Sequence, residues 1–425
     1  MLSIGSAIAA RGQGFNTVIN FNASDGGLPI GPLAQGRDGR LYGTTSGYGA
    51  NNEGTVFKAN SRGVVNTLYN FCTQTDCPDG YSPQALVLAT DGSFYGVTTD
   101  GGASFACDVG CGTVFKISAT GKFTTLYSFC SQPNCLDGAS PYGGLVQGID
   151  GNFYGTTQYG GDRTCNNSIS TCGTLFRITP RGILTTLYVF HGPDGAFPQV
   201  GLVQARDGNL YGTTNGGGFS VCALGCGTVF KITPAGILTT LHRFALTDGA
   251  NPISGLVQST GGNLFGTTYS GGDLSCDPDF GCGTVFGITP SGTLMTVHNF
   301  TGLDGSGPTN GPIQATNGLL YGTTISGGSI SCYRGCGTVF SLDMGLAPFV
   351  AFVQAAGKVG ETAQILGQGF EGTTEVSFNG TPANFNVASG TYLTATVPDG
   401  ATTGYVTVTT PTAVLKSNVP FRVIN

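Results

Sequence analysis

Fourteen cysteines, a recurring aspartate and one out-of-pattern glutamate carry most of the reactive chemistry in this 425-residue chain. The cysteines form seven near-neighbour pairs: Cys72/Cys77, Cys107/Cys111, Cys130/Cys135, Cys165/Cys172, Cys222/Cys226, Cys276/Cys282 and Cys332/Cys336. None is left over. An even set of close pairs, in a chain with only 9% charged residues, is the pattern of disulfides made in an oxidising compartment. Zinc is the competing chemistry. It takes about four Cys or His ligands, so two loops would have to converge, and none of the three histidines lies in a cysteine loop. The reading is therefore disulfides, with no metal site and no cofactor. Each bridge closes a few residues and contributes roughly 2 kcal/mol by the chain-entropy model. Its main effect is to stiffen a loop.

The aspartates recur as Asp-Gly-x-x-Pro, at Asp25, Asp79, Asp137, Asp194, Asp248 and Asp304. Six carboxylates in equivalent places offer a cation or a sugar a ring of acceptors. Aspartate before glycine in a turn, however, normally accepts backbone N–H groups, and presence in every copy suits a structural task. Glu53 differs: it is the only glutamate before residue 361, and it follows Ser46 to Asn52, where other copies carry a cysteine pair. The candidate binding face is thus Glu53 with the six aspartates, and the first copy is the one expected to be special. His191, His242 and His298 fall in or just after one outer segment, which suits a solvated edge better than a convergent site. No catalytic residue is assigned.

Those residues are positioned by a unit written six times. Tyr-Gly-Thr-Thr or a close variant begins at Tyr42, Tyr95, Tyr154, Tyr211, Phe265 and Tyr321, at spacings of 53 to 59 residues. Gly-Thr-Val-Phe or a close variant follows each, ending at Phe57, Phe115, Phe176, Phe230, Phe286 and Phe340. Asp-Gly, Gly-Gly or Asn-Gly precedes each first element, as two-residue hairpin turns require. Four short strands per copy follow, and one copy cannot bury a core alone. The fourth strand ends at Phe71, Phe129, Phe190, Phe244 and Phe300, leaving the sixth copy short of one. Thr17 to Phe21 precedes the first copy without a partner. The expected fold is all-β: a six-bladed β-propeller over residues 15–345, closed by that N-terminal strand, which leaves no open edge. Aromatic residues at the Tyr42, Tyr95, Tyr154, Tyr211 and Tyr321 position are expected in the core between blades. Gln35, Gln147, Gln204, Gln258 and Gln314 are expected along a central channel, bonded to water. Connections alternate between two faces, so one face carries only short turns and is expected bare, while the other holds every cysteine and is the candidate functional surface.

Outside the repeats, residues 1–14 read as a leader remnant or a disordered N-terminus, with a small-residue run around Ala7 to Ala9. Residues 346–425 lose the repeat and alternate, as in Thr391 to Pro398, which suggests a small Ig-like β-sandwich. No run of 18 or more apolar residues is present. Net charge is −6 with 17 Lys and Arg in all, so nucleic-acid binding lacks a basic surface.

The unit of Asp-Gly-Asn-Leu-Tyr-Gly-Thr-Thr, a Gly-Gly loop and Gly-Thr-Val-Phe resembles the GloVer tandem repeat of exported bacterial proteins, over about three quarters of the chain. The tail is similar to IPT/TIG domains through Gly367-Gln368-Gly369-Phe370, Val376 to Gly380 and Gly404 to Val408. These resemblances imply a secreted, periplasmic or cell-surface repeat protein and no defined reaction. The first function expected is a non-catalytic module presenting disulfide-stiffened loops to an extracellular glycan, protein or matrix. The alternatives are a structural matrix protein or a propeller hydrolase of polysaccharide. The inventory weighs against the hydrolase: such enzymes usually use two placed carboxylates, the repeats hold one Glu, and the chain has no Trp.

Overall fold

Strand by strand, the repeat folds as its alternation requires. The computed structural model describes residues 19, 21, 23–60, 63–104, 106–161, 171–219, 221–328 and 335–424. Residues 1–14, and with them the expected leader remnant, lie outside the described residues. In the fourth unit, Val203–Gln204, Leu210–Thr214, Thr228–Ile232 and Leu238–Arg243 form an antiparallel sheet in sequence order. The Asp207-Gly208 turn joins the first two strands, with Gly208 at φ +81°, where a Cβ would be strained. The first, third and fifth units repeat this order, and the second adds the short strand Tyr81–Pro83. The sixth shows three strands among the described residues, Ile313–Gln314, Leu320–Thr324 and Thr338–Leu342.

A threonine pair locks the central hairpin of every unit. The last threonine of Tyr-Gly-Thr-Thr meets the threonine of Gly-Thr-Val-Phe at 2.8–2.9 Å in all six, as in Thr214 with Thr228. In the first five units these hydroxyls are buried, so pairing meets the cost of removing them from water. Successive sheets then pack on each other: Tyr211, Val229 and Phe244 of the fourth unit share a buried cluster with Leu264, Phe286 and Ile288 of the fifth. The Phe244 and Phe286 rings meet edge-to-face at 5.2 Å, a geometry that suits aromatic quadrupoles.

The glutamines differ from the channel-water expectation. Gln204 Oε1 accepts the Ile149 amide of the preceding unit at 2.9 Å, and Gln258 accepts that of Arg206 at 2.9 Å. Gln147 and Gln314 bond Thr90 and Thr260 in the same way. The row ties the third to sixth units each to the one before it, while Gln35 of the first bonds the Gly39 carbonyl of its own turn at 3.3 Å. Leu88 replaces glutamine in the second unit, and there Arg37 reaches the Thr90 carbonyl at 2.6 Å.

After residue 345 two four-stranded sheets form. One contains Ala351–Phe352, Thr362–Leu366, Tyr392–Thr396 and Phe385–Ser389. The other contains Thr381–Pro382, Glu375–Phe378, Val406–Thr409 and Val414–Lys416. Ile365, Val376, Phe378, Leu393 and Val408 form their common core. No helix among the described residues is long and apolar enough to cross a membrane.

These C-terminal sheets correct the expectation of a bare face. The Phe349 amide bonds the Thr316 carbonyl at 3.0 Å, Gln368 donates to Thr316 Oγ1 at 3.1 Å, and Arg206 donates to the Asn418 carbonyl at 3.3 Å. Thr316 and Arg206 each precede a short hairpin turn, so the segment docks on the short-turn side.

Candidate functional site

The recurring aspartates are held by their own units. Each of the five from Asp79 to Asp304 lies in the connection after a fourth strand, and a side chain on that strand reaches it. Tyr69 donates to Asp79 at 2.7 Å, Tyr127 to Asp137 at 2.7 Å and Tyr188 to Asp194 at 2.6 Å. In the fourth and fifth units histidine takes the tyrosine's place, His242 with Asp248 at 2.9 Å and His298 with Asp304 at 2.8 Å. Connection amides complete the ring, as in Ala245 N–H to Asp248 at 2.8 Å. Burial works against charging Asp248, but the His242 and Ala245 bonds outweigh it and hold the carboxyl below its usual range. The Asp25 carbonyl accepts Thr55 Oγ1 at 3.1 Å. Two of the three histidines are thus paired rather than simply solvated, because the fourth-strand side chain and the aspartate six residues later meet across the connection.

Glu53 lies in the first unit's loop, where it bridges to Tyr48 and its carbonyl accepts the Ser82 amide at 3.2 Å. Asp100, at the end of Phe94–Asp100, comes close enough to feel its charge. Burial, with Glu53 adding to it, pushes the Asp100 carboxyl above the usual carboxylate range. Asp100 breaks the repeat pattern; the equivalent residues are Gly47, Tyr159, Gly216, Ser270 and Ser326.

Disulfides close Cys72–Cys77, Cys107–Cys111, Cys130–Cys135, Cys222–Cys226 and Cys276–Cys282. Cys172 and Cys336 are disulfide-bonded as well, while Cys165 and Cys332 lie outside the described residues. In the second unit two loops do converge, placing the sulfurs of Cys107, Cys111, Cys130 and Cys135 within 4.8 Å of one another as two adjacent bridges.

On this same cysteine-bearing side, a cleft of about 810 Å³ opens across the fourth to sixth units. One wall carries amides. The Asn251 side chain donates to the Asn215 carbonyl at 3.0 Å and accepts from Ser270 Oγ at 2.7 Å, while Asn215 reaches Gln199 at 3.5 Å. The lining also carries Tyr269 and Phe280, 40% and 66% exposed. Asp277 and the Cys276–Cys282 bridge complete the rim. Apart from the Cys276–Cys282 pair, the candidate set from the sequence contains none of these residues. Their signal was variation: the residue after Tyr-Gly-Thr-Thr runs Ser46, Thr99, Gln158, Asn215, Tyr269, Ile325, so one fixed backbone position presents six different side chains.

Fold and site define a class, an all-β repeat protein of successive four-stranded antiparallel sheets whose connections on one side are braced by short disulfides. The chain belongs to the Gloeobacter/Verrucomicrobia repeat family, whose pattern matches residues 6–219 and, overlapping, 163–388. No curated protein matches it by sequence. Among solved structures it is similar to a gluconolactonase from Xanthomonas campestris, at 16% identity over 72% of this chain and 85% of that one, TM-score 0.40. It is also similar to a Penicillium chrysogenum α-L-arabinanase complexed with arabinobiose, at 12% identity over 74% and 93%, TM-score 0.41. A third likeness is to the extracellular domain assigned to a hybrid two-component system of B. thetaiotaomicron, at 10% identity over 91% of this chain and 49% of that one, TM-score 0.43. Likenesses at this level assign no activity.

Proposed function

We propose that the chain is a non-catalytic secreted, periplasmic or cell-surface module that presents disulfide-stiffened loops on one side of a closed six-bladed β-propeller. Its ligand is an extracellular glycan, protein or matrix component. The observation that carries this reading is the division of labour between the two sides: the C-terminal sheets dock on the short-turn side, and the 810 Å³ cleft opens among the cysteine-bearing connections. Loops on a rigid scaffold are where recognition concentrates.

Ring closure is supported by a ladder of phenylalanines. Each fourth-strand phenylalanine meets the third-strand one of the next unit edge-to-face: Phe71–Phe115, Phe129–Phe176, Phe190–Phe230, Phe244–Phe286 and Phe300–Phe340. The sixth contact is Phe21–Phe57 at 4.9 Å, so Phe21 stands where the sixth unit's fourth strand would end. The two C-terminal sheets with their common core are read as the IPT/TIG-like domain, a spacer on the short-turn side.

The test is binding of the full chain to polysaccharides, extracellular proteins and matrix extracts, with products assayed in the same wells. Saturable binding without turnover supports the module. Turnover supports the second reading, a hydrolase, which the Asp100–Glu53 pair favours: a carboxyl biased towards holding its proton beside a second carboxylate has the makings of a general acid. In that case Asp100→Asn abolishes product formation.

A further inference from the structure

Resting on the module reading above, we propose that the cleft across the fourth to sixth units is a binding site for a neutral oligosaccharide. A sugar ring has apolar C–H faces and a periphery of hydroxyls that both donate and accept. The cleft has matching parts. Tyr269 and Phe280 expose apolar ring surface, and aromatic faces carry the negative side of the ring quadrupole towards C–H groups. Beside Tyr269 runs a row of amides fixed by their mutual bonds, Asn251 to Asn215 and Asn215 to Gln199.

Those amides keep valences open toward the cleft. Asn215 Oδ1 and Gln199 Nε2 make no hydrogen bond among the described residues, which offers one acceptor and one donor a short distance apart. Among the described residues, the cleft lining has no lysine or arginine and carries one carboxylate, Asp277. Phosphate, sulfate and uronate groups thus find no counter-charge among the described lining residues, and the chain's net charge of −6 opposes them further. The volume falls within the roughly 300–1,000 Å³ usual for small-molecule sites.

The cleft is a specific departure from the repeat. In every Asp-Gly-x-x-Pro connection the residue before proline is left-handed, from Ser140 at φ +52° to Gly307 at φ +63°. The backbone is therefore constant and the side chain alone varies. Between the third and fourth units this residue is Phe197, buried and edge-to-face with Tyr159. Between the fifth and sixth it is Gly307, where a Cβ would stand 3.1 Å from the Tyr269 ring. Glycine leaves open the space that phenylalanine fills two units earlier, and the Tyr269 ring lies across it.

The test measures binding of the full chain, by calorimetry, to neutral tetrasaccharides of glucan, mannan, xylan, galactan and arabinan and to a tetrauronate. Wild type is compared with Tyr269→Ala and Gly307→Phe. The second variant installs the residue of the Phe197 position at a φ that Phe197 already adopts, at +57°. Circular dichroism and Tm confirm folding. The expected result is saturable binding of at least one neutral tetrasaccharide, weakened at least about tenfold in both variants, or roughly 1.4 kcal/mol. A preference for the tetrauronate, or neutral binding unchanged in folded variants, overturns the site while leaving the module reading standing. Binding of no saccharide overturns the site too, and the protein and matrix arms then decide the module reading separately.

Discussion

The Tyr211 hydroxyl donates to Asp207 Oδ2 at 2.7 Å, linking the buried second strand to the turn that precedes it. The same bond joins Tyr42 to Asp38, Tyr95 to Asp91 and Tyr154 to Asp150. In the fifth unit both partners are lost together: Phe265 has no hydroxyl and Gly261 no carboxylate. The turn there faces the C-terminal segment, and a Cβ on Gly261 would lie 3.0 Å from the Leu346 side chain. Tyr211→Phe is expected to cost about 1 kcal/mol, the net worth of one such bond, read as a lower urea midpoint at unchanged slope. Phe265→Tyr, with no acceptor waiting, should gain no stability.

Alkaline pH should unfold the repeats through their tyrosines. Burial, with an aspartate beside each hydroxyl, pushes Tyr42, Tyr69, Tyr127 and Tyr154 up to about 12. The unfolded chain releases these protons near pH 10, so it binds fewer than the folded chain between about 10 and 12. The stability they lend is present below pH 10 and is lost as pH rises towards 12. Tyrosinate absorbance should therefore rise together with loss of the β-sheet signal. Free titration of these tyrosines near 10 in the folded state would contradict the packing.

Acid acts through the paired aspartates with the opposite sign. The Asp248 and Asp304 carboxyls lie below their usual range, so their contribution is present above about pH 4 and fades as pH falls through their folded values. Asp248→Asn should lower Tm at pH 7 and lower it less as pH falls below about 4, which a series of calorimetric scans resolves.

Phe21 should act as a rung of the ladder, though a weaker one than an internal phenylalanine. Its half-buried ring predicts a loss of roughly 2 kcal/mol for Phe21→Ala, against about 3–5 kcal/mol for the fully buried Phe244→Ala. Denaturant unfolding of both variants compares them. A Phe21→Ala protein as stable as wild type would argue against closure through the N-terminal strand.

Reduction should loosen loops without dissolving sheets. Cys222→Ser with Cys226→Ser removes one short bridge and is expected to cost roughly 2 kcal/mol. Hydrogen exchange should rise in the 215–227 loop and stay unchanged in Thr228–Ile232.

The six-fold unit, its four strands and the pairing of the cysteines were legible in the sequence because each depends on contacts within a few tens of residues. Alternation sets a strand, Asp-Gly sets a hairpin, and closely spaced cysteines have their partners nearby. The aspartate turns were legible for the same reason. Other features depend on which units become neighbours in space. The glutamines' bonds reach across units, and the side on which the C-terminal sheets dock depends on where the surface of Thr316 and Arg206 faces. The sequence reading pointed to the cysteine-bearing face but not to the cleft on it, because Gln199, Asn215, Asn251, Tyr269 and Gly307 come from different connections and strands, and only packing of successive sheets brings them to one rim. A repeat makes its conserved positions conspicuous and its variable ones look like noise. Here the fold holds the variable backbone constant, so that those side chains become the ones that distinguish one part of the surface from another.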